Sequence, residues 1–111
     1  MGEPRMTQPT QAVLRVLLAD PAAEFYGLEL GARAGLPSGT VHPILARLEA
    51  CGWVDSRWEE VDPRVEGRPR RRYYRLTGAG GVRAGAALAR AEARTRQLTR
   101  RAEPGYAGGA T

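Results

Sequence analysis

The stretch GLPSGTVHPILARLEACGWV, Gly35 to Val54, decides the architecture of this 111-residue chain. Within it Val41, Ile44, Leu45, Leu48 and Cys51 recur at i, i+3, i+4, i+7 and i+10, the spacing that lays one apolar stripe along an α-helix. Gly35-Leu36-Pro37-Ser38 reads as the turn before that helix, Ser38 or Thr40 as its cap, and Gly52 as its C-terminal stop. Opposite the stripe lie Gly39, His42, Pro43, Ala46, Arg47 and Ala50, a bare, small or polar face. Pro43 stands beyond the first turn, where it removes a backbone hydrogen bond and is expected to bend the helix. Cys51 continues the apolar stripe and is expected to be a small buried hydrophobe.

Upstream, Met1 to Met6 reads as a flexible tail. Thr7 or Thr10 caps a first helix, with Pro9 tolerated in its first turn. Val13, Leu14, Val16, Leu17 and Leu18 give it a broad apolar face, and Asp20-Pro21 ends it. A second helix covers Tyr26 to Ala34, anchored by Leu28 and Leu30 and stopped by Gly35. Two helices joined by the Gly35–Ser38 turn are a helix-turn-helix.

Downstream, Trp53 to Glu60 alternates, with Val54, Ser56 and Trp58 on one face, and reads as a strand. Trp53 is expected in the core. Arg71 to Leu76 alternates likewise, with Tyr74 and Leu76 inward and Tyr73 and Arg75 outward. Val61 to Arg70, containing Pro63, Gly67 and Pro69, has the composition of a hairpin loop. Thr77 caps a last helix reaching about Arg101, although Gly78-Ala79-Gly80-Gly81 is a poor start, costing about 1 kcal/mol per glycine relative to alanine. Ala84, Leu88, Ala91, Thr95, Leu98 and Ala102 then repeat by four and three, a coiled-coil spacing with mostly small residues. So thin an apolar stripe is expected to need a partner chain, making Ala84, Leu88, Ala91, Thr95 and Leu98 the expected dimer contact. The fold expected is mainly α with a small β-hairpin: a winged helix-turn-helix over residues 7–76, a dimerisation helix over 77–103, and flexible tails at 1–6 and 104–111.

All 17 basic residues are arginine, and the formal charge of +5 is unevenly placed. Residues 1–63 carry five arginines against nine acids, residues 64–76 six arginines against Glu66, and residues 77–111 six against two acids. The run RPRRRYYRLT, Arg68 to Thr77, sets five arginines beside two tyrosines. Charge concentrated on one hairpin marks a polyanion footprint rather than general stickiness. One cysteine excludes an intramolecular disulfide. No signal peptide is visible and no apolar run approaches the ~20 residues needed to span a bilayer. A cytoplasmic protein without a membrane partner is expected, starting at Met1 or Met6.

FYGLEL (Phe25 to Leu30), GLPSGTVHPILARLEACGWV (Gly35 to Val54) and GRPRRRYYRLTGAG (Gly67 to Gly80) together resemble the PadR family of transcriptional regulators, over most of residues 10–80. The resemblance implies a homodimeric winged-helix repressor on a near-palindromic, inverted-repeat operator in double-stranded DNA, released in many members by a small molecule. His42 stands where that family commonly has tyrosine, and the single short C-terminal helix matches its compact subgroup.

An α-helix fits the major groove, and its N-terminal residues reach base edges and phosphates. The candidate DNA-binding residues are therefore Ser38, Gly39, Thr40, His42, Pro43 and Arg47 on the third helix. On the hairpin they are Arg68, Arg70, Arg71, Arg72 and Tyr73. The bland reading of both is a solvated polar face. Clustered charge beside a helix-turn-helix favours the first. Trp58 is the candidate for stacking an aromatic effector between two subunits, against the plainer role of strand anchor. A lone histidine with no second histidine is no metal site, the GAGG run lacks a P-loop lysine, and Glu59, Glu60 and Asp62 read as a solvated loop. An enzyme, a metal and a cofactor are not expected. The alternative is a winged-helix protein–protein interaction module without sequence-specific DNA binding.

Overall fold

A computed structural model describes residues 2–109, with side chains through residue 101. The elements run α1 (Gln8–Ala19), β1 (Phe25–Tyr26), α2 (Gly27–Ala34), α3 (Ser38–Ala50), β2 (Val54–Trp58), α4 (Pro63–Glu66), β3 (Arg72–Leu76) and α5 (Gly78–Gly109). The three strands form one antiparallel sheet in the order β1-β3-β2. β2 and β3 pair from Val54↔Leu76 to Trp58↔Arg72, and β1 adds Phe25↔Tyr74 and Tyr26↔Tyr73 to the other edge of β3. The expected hairpin is thus the larger part of a three-stranded sheet.

The core lies where α1, α2, α3 and the near half of α5 meet under the sheet. Val13, Leu14 and Leu17 of α1, Leu30 of α2, Val41, Ile44, Leu45 and Leu48 of α3, and Trp53, Val54, Tyr74 and Leu76 of the sheet region are all buried. Each fully buried leucine is worth roughly 1.5–3 kcal/mol relative to leaving it exposed, so the α3 stripe alone fixes which face points inward. Cys51, expected inside, is only half-buried: it is the C-cap of α3, and its Sγ–H donates to the Leu48 carbonyl at 3.4 Å. Leu28, expected as an anchor of α2, is 68% exposed. Helix α2 starts at Gly27 because Phe25 and Tyr26 are drawn into the sheet, and the inward positions become Gly27, Leu30 and Gly31.

Thr7 caps α1, accepting from Thr10 N at 3.3 Å. Neither Ser38 nor Thr40 caps α3. Its N-cap is Pro37, whose extended ψ of 153° turns its carbonyl to accept from the Thr40 and Val41 N–H groups. Helix α3 runs through Pro43 with that residue on the exposed side. Gly35 takes the left-handed conformation, φ 72°, that ends α2.

The expected hairpin loop Val61–Arg70 contains the one-turn helix α4. Asp62 caps it by accepting from Arg64 N at 2.9 Å, Pro63 begins it, and Gly67 closes it at φ 69°. The N-terminal tail, expected to be loose, lies against the body. Met6 packs on the core, its carbonyl accepts from Gln11 Nε2 at 2.8 Å, and Glu3 pairs with Arg90 at 2.8 Å.

Helix α5 departs most from expectation. Ala84, Leu88 and Ala91, read as dimer contacts, are buried within a single chain together with Ala87. Their small side chains let α5 close onto α1, a pairing tied at the rim by Arg15–Glu92 at 3.2 Å. Thr95 and Leu98 lie beyond this contact and are exposed, Leu98 at 64%. The division of domains expected at residue 77 therefore cuts through one core. The helix also continues past Glu103 to Gly109, where a flexible tail was expected, and Ala110 and Thr111 lie outside the described residues. Helix α5 runs through Pro104, although an interior proline loses a backbone hydrogen bond and crowds the carbonyl four residues back, a cost of about 3 kcal/mol. The principal extents of 68 × 28 × 22 Å reflect this protruding rod.

Thr77 is the only residue between β3 and α5. Its N–H donates to Trp53 O at 3.0 Å, its hydroxyl donates to Gly52 O at 2.9 Å, and its Oγ1 accepts from Gly80 N at 2.8 Å, the expected cap. Gly80 then passes so close to Trp53 that a Cβ there would overlap the Trp53 backbone. Of the glycines that start α5, Gly80 is thus a packing requirement, whereas a Cβ at Gly78 or Gly81 meets nothing within 4 Å.

Candidate nucleic-acid interface

Burying Val41, Ile44, Leu45 and Leu48 turns the other side of α3 outward. Ser38, Gly39, His42, Pro43, Ala46, Arg47 and Ala50 are exposed there, and Thr40 is half-buried. Pro37 O already takes the Thr40 and Val41 N–H groups, so those of Ser38 and Gly39 point out of the helix start, where the macrodipole favours negative charge. The expected α3 residues thus share one accessible face. The His42 ring lies over Gly27: an added Cβ at Gly27 would lie 2.8 Å from His42 Cε1 and 3.4–3.5 Å from both ring nitrogens.

The wing is β2, the α4 turn and β3. Its arginines divide into those engaged within the chain and those left to solvent. Arg68 makes a two-pronged ion pair with Glu59, at 2.7 and 3.0 Å, and Glu59 Oε1 also accepts the Arg71 N–H at 3.2 Å. The Arg68 guanidinium first, and the backbone bond second, hold the Glu59 carboxyl at about 2, far below the usual carboxylate range. Arg72 Nε donates to Ser56 Oγ at 2.9 Å, its Nη2 stands 3.5 Å from Glu49 Oε2, and its guanidinium lies 5.2 Å over the Trp58 ring. Ser56 in turn donates to Glu49. This cluster ties the end of α3 to the base of the wing.

A second set of contacts lines the other edge of β3. The Arg71 guanidinium sits 4.3 Å over Tyr26, Tyr26 meets Tyr73 edge-on at 5.9 Å, and Arg57 lies 5.2 Å over Tyr73. Arg57 is itself paired with Glu24 at 2.6 and 2.8 Å, which raises the arginine and lowers the carboxyl from their ordinary values. Tyr73, expected to face out, is half-buried by this stack.

Arg68, Arg71 and Arg72, expected as phosphate contacts, are therefore half-buried and committed to the wing's own structure. Arg70 is exposed, with its Nε donating to Val61 O at 2.9 Å. Arg64, overlooked in the sequence because the loop was read as structureless, is exposed on α4 and has no carboxylate partner among the described residues. Its signal was present as Asp62-Pro63…Gly67, a helix cap, first-turn proline and αL stop. Over the whole hairpin, Val54 to Leu76, seven arginines face five acids, a net of +2.

Trp58 does not lie on α5. It stands at the last pair of the β2–β3 ladder, where the wing loop begins, 57% exposed, and opens onto a hollow of about 810 Å³ lined also by Val61, Pro63, Arg64 and Arg70 and by the acidic Glu59, Glu60 and Asp62. Among the described residues no helix is long and apolar enough to cross a membrane.

Helix-turn-helix, three-stranded antiparallel sheet and arginine-bearing wing define a winged-helix protein of the kind found in transcriptional regulators. The chain belongs to the Transcriptional regulator PadR-like family, whose pattern it matches over residues 16–86. Comparison with curated proteins finds no match. Among solved structures, the chain is similar to the PcaV transcriptional regulator from Streptomyces coelicolor, solved with its natural ligand, at a TM-score of 0.64 and 29% identity. That similarity covers 89% of this chain and 64% of PcaV, so the chain spans less than two thirds of that regulator. AbfR in a disulfide form (TM-score 0.63, 23% identity, 96% and 72% covered) and a Staphylococcus aureus MepR variant (0.60, 18%, 85% and 64%) share the fold. Fold and family are those of transcriptional regulators, not of enzymes.

Proposed function

We propose that this chain is a homodimeric transcriptional repressor that binds an inverted-repeat operator in double-stranded DNA. The outward face of α3 enters the major groove, with Ser38, Gly39 and Thr40 at phosphates and His42, Pro43 and Arg47 against base edges or the backbone. The wing follows the adjacent backbone through Arg70 and Arg64, which have no carboxylate partner among the described residues. Arg68, Arg71, Arg72 and Tyr73 shape the wing that presents them. The observation that carries this reading is an exposed polar face on α3 together with exposed arginines on the wing, on a chain of the PadR-like family.

Dimerisation engages the part of α5 beyond Ala91, where Thr95 and Leu98 continue the buried stripe of the helix past the end of its contact with α1. A small-molecule effector completes the proposal, supported by PcaV having been solved with a natural ligand. The Trp58 hollow is the aromatic surface such a molecule would find on this chain.

Selection of bound duplexes from a random library at near-physiological salt tests the reading. An enriched inverted repeat establishes a sequence-specific dimer and its half-site spacing. Recovery of unenriched DNA, or of none, overturns it in favour of a protein-interaction module.

A further inference from the structure

The dipeptide Tyr26-Gly27, inside the FYGLEL stretch, lies beneath both elements of the candidate interface, Tyr26 against the wing and Gly27 under His42 of α3. Tyr26 is the edge strand's partner for the wing: it pairs with Tyr73 in the sheet register, meets its ring edge-on at 5.9 Å, and carries the Arg71 guanidinium at 4.3 Å. Gly27, one residue on, is buried at the start of α2. Above it lies the His42 ring, with three of its atoms within 2.8–3.5 Å of where a side chain at 27 would begin. Any Cβ at that position displaces the imidazole. Gly27 carries no positive φ, so no left-handed backbone demands glycine here, and glycine is a poor choice for a helix interior or first turn on conformational grounds. The close approach of His42 is the reason the structure supplies for it.

We infer that Gly27 is a specificity-determining positioning residue: its missing side chain is the seat that sets the His42 ring against the groove. Tyr26 beside it holds the wing in a fixed register to that seat. The inference rests on the DNA-binding role of α3 proposed above. It differs from that role in naming a residue that touches no DNA. Gly27 acts by limiting the orientation of one that does, and side chains reading base edges need close geometric definition to discriminate.

The test is a double-mutant cycle of Gly27→Ala and His42→Ala, read twice. In the free protein, Gly27→Ala lowers the melting temperature by roughly 5 °C by overpacking. The loss disappears when His42→Ala has already removed the ring. Equal losses in both backgrounds overturn the seat, whatever the DNA results. The double variant also keeps the cycle readable should Gly27→Ala alone fold poorly, since removing the ring is then the rescue.

In duplex selection from a random library, Gly27→Ala changes base preference on the order of tenfold at the positions whose preference His42→Ala also alters, and adds nothing to His42→Ala. The slope of affinity against salt stays at the parent's value, because no phosphate contact is removed. A preference unchanged by Gly27→Ala, with the melting cycle non-additive, overturns the positioning role. Failure of the parent itself to enrich any duplex defeats the DNA-binding reading, and the positioning role with it. That result is distinguished from loss of the seat by the melting cycle in the free protein.

Discussion

Glu59 and Arg68 grip each other through both oxygens and both terminal nitrogens, at 2.7 and 3.0 Å, across the neck of the wing. The arginine that begins the most basic run of the sequence is thereby turned inward as a strut. Glu59, which a sequence reader assigns to a solvated loop, becomes the organiser of the hairpin by holding the Arg71 N–H as well.

This pair makes the wing sensitive to acid. Glu59 titrates at about 2 in the fold against an ordinary value of 4.5. A folded value below the unfolded one means the pairing contributes fully above about pH 4.5 and is lost as pH falls toward 2. Thermal melts between pH 6 and 2 are expected to fall less steeply in Glu59→Gln than in the parent. Parallel curves would show that the pair does not support the fold.

The division of the wing arginines predicts different salt behaviour for neighbouring residues. The double replacement Arg64→Ala, Arg70→Ala is expected to weaken binding to all duplexes and to flatten the salt slope by roughly 2, near 0.9 per phosphate released. Arg68→Ala is expected to weaken binding by loosening the hairpin while leaving the slope near the parent value. Fluorescence anisotropy with one labelled duplex from low to moderate salt separates these. A slope change confined to Arg68→Ala would reverse the assignment.

Glycines of α5 are expected to respond with opposite signs. A Cβ at Gly80 meets the Trp53 backbone, which has no room to yield, whereas one at Gly85 meets nothing within 4 Å. Gly80→Ala should destabilise by about 1–3 kcal/mol or more. Gly85→Ala should stabilise by roughly 0.5–1 kcal/mol through helix propensity. Urea denaturation measures both, and a stabilising Gly80→Ala would refute the close approach.

The proposed dimer contact predicts that Leu98→Glu gives a folded monomer by light scattering. Leu88→Glu, aimed at a side chain only 8% exposed, is expected to unfold the chain instead. Residues 93–101 carry four arginines and no acid, so two such segments brought together repel. Self-association should therefore strengthen with salt while DNA binding weakens. A dimer unaffected by Leu98→Glu would place the contact elsewhere.

The sequence made legible whatever depends on a single chain segment's own periodicity. Val41, Ile44, Leu45 and Leu48 are buried as their spacing requires, Trp53 is in the core, and Thr77 caps α5. A two-residue strand such as Phe25–Tyr26 has no period to detect, so periodicity alone starts the second helix at Tyr26 and turns Leu28 inward. Ala84, Leu88 and Ala91 fit both a dimer seam and a tight helix–helix contact within one chain, because small residues permit either. Only the arrival of α1 decides. The candidate α3 face was readable because burying one side of a helix exposes the other. The fates of Arg68, Arg71 and Arg72 were not, since they depend on Glu59, Tyr26 and Ser56, brought near by the fold rather than by sequence spacing.

With one residue separating β3 from α5, the chain has no slack between wing and rod. Inserting or deleting a residue at Thr77 would turn the helix by about 100°, swinging Ala84, Ala87 and Leu88 out of their places against α1. Length variation in a chimaera built on this body therefore belongs at the tip of the wing, around Arg64 to Gly67. A grafted sensor has to be spliced onto α5 beyond Ala91, where the helix works as an axle whose angular setting is already fixed by the sheet.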